Sequence, residues 1–165
     1  MASTTRDSGA DRSLENRRSI SPAEGWYLTT VYWLGVDADG TVRMGALAER
    51  LDVSPSSVTE MAATLSDGPL LSYQRYDGVE LTRRGRAVAE SLARRQCVVT
   101  AYFDQLLSYS IDPYTAYRIG YVLPTDGISR LERAIEQPRM DACQRVHEGS
   151  EECLLGSDAR VRLPA

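Results

Sequence analysis

Apolar positions recur with two different periods along this 165-residue chain, and the changes of period mark out its elements. Ser21-Pro22-Ala23-Glu24 has the form of a helix start, with a capping serine, a proline at the first position and an early carboxylate. Trp26, Tyr27, Val31, Tyr32 and Leu34 follow at helical spacing, and Asp37-Ala38-Asp39-Gly40 ends the run. A second helix over 43–51 puts Met44, Leu47, Ala48 and Leu51 on one face. Asp52-Val53-Ser54-Pro55 turns the chain. Ser54 then caps a third helix, with Pro55 at its first position and Val58, Met61, Ala62 and Leu65 facing inward. Over 70–76 the period drops to two, Asp77-Gly78 signals a hairpin, and 79–82 returns as the partner strand. Two strands and a tight turn directly after a helical pair predict a wing.

Thr82 is placed to cap a long helix over 83–108, with Val88, Leu92, Val99, Phe103, Leu106 and Leu107 among its apolar positions. At about 1.5 Å per residue it reaches well beyond the winged unit. Asp112 and Pro113 open another helix to about 123, Pro124-Thr125-Asp126 interrupts, and 127–137 completes the helical part. The expected fold is mainly α (α+β). A disordered tail (1–20) precedes a winged helix-turn-helix DNA-binding domain (21–90), a helical dimerisation domain (91–137) and a flexible Cys/His-containing tail (138–165).

Charge complicates this picture, because the net charge is −4 and DNA calls for a basic surface. Its distribution restores the expectation: Arg75, Arg83, Arg84, Arg86, Arg94 and Arg95 crowd the C-terminal third of residues 21–95. All 19 basic residues are arginine, a composition that hints at source and not at fold. Neither a membrane-length apolar run nor the apolar core of a signal peptide is present, so the chain reads as cytoplasmic with no membrane partner. Cys97, Cys143 and Cys153 are an odd set and argue against a disulfide framework, and Cys97 reads as a small buried hydrophobe. A single histidine, no phosphate-binding glycine loop and no nucleophile–base pair leave nothing for an enzyme.

The third helix carries the candidate chemistry. Ser54, Pro55, Ser56, Ser57, Thr59 and Glu60 lie on its outer side, where short hydroxyl side chains allow close approach to a major groove and bond base edges or phosphates. Glu60 fits a cytosine amino group and equally a solvent-facing role. Arg75 at the wing tip and Arg83, Arg84 and Arg86 after it are candidate phosphate contacts. Three cations in the first turn of a helix oppose its dipole, a cost that a phosphate offsets and a merely solvated turn does not. These residues predict a sequence-specific regulator binding double-stranded DNA. A winged protein-interaction module without an operator is the alternative.

The segment from Ala48-Glu49-Arg50-Leu51-Asp52-Val53-Ser54 to Pro55-Ser56-Ser57-Val58-Thr59-Glu60-Met61 resembles the diphtheria-toxin-repressor family of iron- and manganese-dependent transcription regulators. So do Tyr76-Asp77-Gly78-Val79-Glu80-Leu81-Thr82-Arg83-Arg84-Gly85 and, on the first helix, Tyr27-Leu28-Thr29-Thr30-Val31-Tyr32. The likeness runs over about 23–137 and is strongest before Leu92. It implies a repressor acting as a homodimer on palindromic operators, with the helices after the wing forming the interface. Tyr109, Tyr114, Tyr117, Tyr121 and Val122 fit such an interface, or the core of the helical unit. The resemblance also implies metal ligands on the first helix, the long helix and the next one. There this chain has Trp26 and Thr29, Gln96 and Thr100, and Thr115, Ile119, Val122 and Leu123, none a good donor for a divalent transition metal. No cofactor is expected at that site. Cys143, His147 and Cys153 in the tail are weak candidates for a transition metal, since their spacing matches no standard zinc pattern.

Overall fold

The computed structural model describes residues 20–36 and 40–135, which form six α-helices and a three-stranded sheet. Helix α1 (Pro22–Gly35) starts on a reciprocal capping box. The Ser21 hydroxyl accepts from the Glu24 backbone N–H (3.3 Å) and the Glu24 carboxylate accepts from the Ser21 N–H (2.7 Å). Every residue from Tyr27 to Trp33 is buried, so α1 is a central helix wrapped on all sides. Ile20, which its polar neighbours place in the N-terminal tail, also packs into this core.

A short strand β1 (Thr41–Val42) precedes α2 (Met44–Leu51) and α3 (Pro55–Ser66). Asp52 takes a left-handed conformation (φ 53°) as the C-cap of α2, which makes the tight turn into α3. The hairpin follows as β2 (Leu71–Gln74) and β3 (Gly78–Leu81), antiparallel in the order β1-β3-β2. The alternating pattern predicts two strands and misses β1, whose two residues are too few to show a period.

The hairpin also closes differently from its Asp-Gly signal. Gln74 pairs with Gly78, so the loop is Arg75-Tyr76-Asp77, with Tyr76 at φ 82°. Gly78 is instead the first residue of β3. Its φ is 124°, and a Cβ there would lie 2.3 Å from the Val42 carbonyl oxygen. Glycine is needed at this point because β1 passes against it.

Helix α4 (Arg83–Leu107) is capped by Thr82, whose hydroxyl accepts from the Gly85 N–H (3.0 Å) and donates to the Pro69 carbonyl (2.6 Å). It is followed by α5 (Pro113–Val122) and α6 (Thr125–Ala134). The α6 helix starts two residues earlier than its sequence suggests, since Pro124 can stand at the N-cap, where no N–H is required. Two apolar clusters share α4. The larger joins α1, α2, α3, the sheet and the N-terminal half of α4. The smaller gathers Val98, Val99, Ile111, Ala116 and Ile128. Tyr117 of α5 belongs to the larger one, its hydroxyl donating to the Pro22 carbonyl (2.8 Å), so α5 leans back onto α1.

Candidate nucleic-acid interface

The first turn of α3 is a small hydroxyl network. The Ser54 hydroxyl accepts from the Ser57 N–H (3.2 Å) as N-cap and lies 2.9 Å from both the Ser56 and Ser57 hydroxyls. Thr59 donates its hydroxyl proton to the Pro55 carbonyl (2.9 Å). That leaves its methyl and its acceptor lone pairs facing out. Ser54, Pro55, Ser56, Ser57, Thr59 and Glu60 are all exposed, while Val58, Ala62 and Leu65 are buried and Met61 is half-buried. From behind, the buried Tyr27 hydroxyl donates to the Val58 carbonyl (3.3 Å), and burial pushes the Tyr27 phenol well above its ordinary pKa. The helix also packs on β2, so the candidate reading face and the wing share one base.

At the wing tip Tyr76 is 94% exposed, and the Arg75 guanidinium lies 5.7 Å from the centre of its ring. Arg83, Arg84 and Arg86 are all exposed in the first turn of α4. Arg86 lies over the Tyr32 ring (5.7 Å), and Arg84 lines a shallow depression with Ile20, Glu24 and Leu70.

Two arginines leave the basic face. Arg95 is only 6% exposed: its Nε donates to the Gly120 carbonyl (2.7 Å) and its terminal nitrogen to the Leu123 carbonyl, at the C-terminal end of α5. A Cβ on Gly120 would meet the Arg95 backbone at 3.0 Å, which shows how closely the two helices cross. Arg94 forms an ion pair with Glu132 of α6. Both are absorbed in holding α5 and α6 to α4. The spacing carried a signal for Arg95, since it lies three residues after Leu92 and four before Val99, on the apolar face.

Three exposed residues add to the surface that sequence patterning singled out. Arg43 and Arg50 flank α2 seven residues apart, hence on one side of it, and Tyr76 tops the wing. Spacing alone hints at the first two, and the Asp77-Gly78 turn signal places the third at the wing tip.

Several of the positions that the resemblance associates with metal are engaged in packing. Trp26 lies 5.4 Å from Tyr114 and 5.0 Å from Tyr117, ring centre to ring centre. Thr29 is buried and donates to the Gly25 carbonyl (2.8 Å), and the buried Gln96 amide donates to the Pro113 carbonyl (3.1 Å). Val122 is 73% exposed. Asp112, the nearest carboxylate on α5, accepts from the Thr115 N–H (2.9 Å) as N-cap, and its pKa is lowered by the Thr115 side chain first and by this backbone bond second. Among the described residues no three His, Cys, Asp or Glu side chains come together as a metal group. Cys97 is buried in the α4 core, while Cys143, His147 and Cys153 lie outside the described residues. No described helix is long and apolar enough to cross a membrane.

Residues 21–79 match the family described as iron dependent repressor, N-terminal DNA binding domain. The HTH-type transcriptional regulator MntR of Shouchella clausii is 37% identical over 137 residues, a match covering 78% of this chain and 93% of that protein. MntR of Oceanobacillus iheyensis is 34% identical over 84 residues, covering 51% of this chain and 56% of the other. Among solved structures, the manganese regulator SloR superposes with a TM-score of 0.60 at 22% identity, over 79% of this chain and 55% of that one. ScaR with bound Zn2+ gives 0.54 at 24%, over 73% and 56%. The chain thus spans just over half the length of the Oceanobacillus regulator and of the two solved proteins.

Proposed function

The chain belongs to the diphtheria-toxin-repressor family of DNA-binding, metal-responsive transcription regulators, and from that premise we propose that it is a sequence-specific repressor acting as a homodimer on palindromic operators. The observation that carries the reading is the first turn of α3. It is a capped helix start, backed by the buried Tyr27, whose exposed face is one proline, short hydroxyl side chains and one carboxylate. Laid in a major groove, Ser56, Ser57 and Thr59 meet base edges, with Ser54 and Pro55 at the entry and Glu60 accepting from a cytosine amino group. Arg75, Arg83, Arg84 and Arg86 take the flanking phosphates.

Control is proposed to depart from the family. The side chains at the inherited positions are an indole, hydroxyls, an amide and aliphatics, and they do not fit a divalent transition metal. Where α4 must be tied to α5, Arg95 supplies a permanent cation, its donors satisfying the last carbonyls of α5. Dimerisation is proposed through Leu106, Leu107, Tyr109 and Val122, exposed apolar side chains around the end of α4 and the last turn of α5.

Selection of duplexes from a random library, followed by salt titration of the winner, tests the DNA reading. A palindromic sequence and a steep log–log fall of affinity with salt are expected. Recovery of no sequence and a flat salt response would leave a winged protein-interaction module as the better account.

A further inference from the structure

A cavity of about 490 Å3 opens between α1, the helix-turn-helix and the start of α5. Its size falls in the range of small-molecule sites. Trp26, Tyr27 and Tyr114 supply aromatic wall and Met61 a deformable thioether, while the polar part of the lining includes Arg50 and Ser57. The lining holds a cation and no carboxylate. Ser57 also belongs to the first turn of α3, so the cavity reaches the face proposed to read DNA. Shape and charge together select a flat apolar body carrying one anionic group.

We propose that this cavity is an effector site for an aromatic carboxylate, and that its occupation weakens operator binding. The ring lies against Trp26, Tyr114 and Met61, and the carboxylate meets Arg50 on the side of the cavity that Ser57 lines. The turn that holds Ser57 is the one proposed to enter the groove, so a bound anion sets a negative charge beside the DNA phosphates. The site itself rests on cavity geometry; only its coupling to the operator rests on the DNA-binding reading.

The test titrates 1-naphthylacetate and its neutral amide into the full chain by calorimetry, then repeats operator binding at saturation. One-to-one binding of the acid is expected, abolished in Ala23→Phe, which fills the mouth from an exposed helix position without touching the reading face. Arg50→Gln should bind the acid about tenfold more weakly and no better than the amide, the loss expected for a charge-assisted contact. Operator affinity should fall about tenfold with acid bound and stay unchanged with acid added to Ala23→Phe. The proposal is overturned by absence of binding, by binding that survives Ala23→Phe, or by binding that leaves the operator unaffected. Binding seen only on dilution to monomer also overturns it, since a second copy then covers the site. If unliganded protein selects no operator, the DNA reading fails, whatever the calorimetry gives.

Discussion

Arg95 stands in the sequence beside Arg94, at the end of a basic stretch, and reads there as one more surface cation. In the fold it is buried and holds two carbonyls of α5. Arg95→Met keeps the apolar stem and removes the donors, leaving the Gly120 and Leu123 carbonyls without these bonds. A loss of about 1–3 kcal/mol for each orphaned acceptor is expected by urea denaturation, and a midpoint equal to wild type would contradict the role. Asp112 gives a residue-scale prediction in pH. Its pKa is lowered on folding by its bonds to Thr115, so its contribution is complete above the ordinary carboxylate value of about 3.9 and fades as pH falls below it. Asp112→Ala should cost about 1 kcal/mol at neutral pH and nothing at the acid end, read from thermal melts across pH. Asp112 is legible from sequence because a cap is local. Arg95 is only half legible: its spacing puts it on the apolar face of α4, but its partners lie 25 residues and more away.

At the scale of elements, the helices of the helix-turn-helix follow from capping residues and apolar spacing, and their positions match closely. What the spacing leaves out is tertiary. Strand β1 exists because Val42 finds Val79 across the sheet, and Gly78 is glycine because of that neighbour more than because of the turn. The proposed reading face is likewise only half legible: the hydroxyl residues are plain, but their internal network appears only in the fold. That network assigns different outcomes to different side chains. Thr59→Ala, which removes a methyl and an acceptor aimed outward, is expected to relax preference at one base position by about 1–3 kcal/mol in competition binding against single-base variants. Arg83→Ala should weaken all sequences alike and reduce the salt slope by about one. An equal effect of both substitutions on every duplex would remove α3 from base reading.

For the whole molecule, α4 couples everything else: one end carries the wing arginines, the middle holds α5 and α6, and the far end exposes Leu106 and Leu107. Leu107→Glu combined with Val122→Glu should convert a dimer into a monomer in sedimentation velocity, and operator affinity should fall with it, since each half-site then binds alone. An unchanged sedimentation coefficient would place the interface elsewhere. The family fold is retained, while two of the expected sensor positions, Thr29 and Gln96, are buried and hydrogen-bonded within the protein. DNA reading is thus proposed to be separate from the metal that the family uses to control it.

That separation is tested most directly by titrating the selected operator into chelator-treated protein, with and without added Mn(II). The account predicts tight binding over a scrambled duplex in the chelated state, and an affinity that changes by less than about twofold with metal. Binding that appears only on adding metal, about tenfold or more tighter than without it, would contradict it.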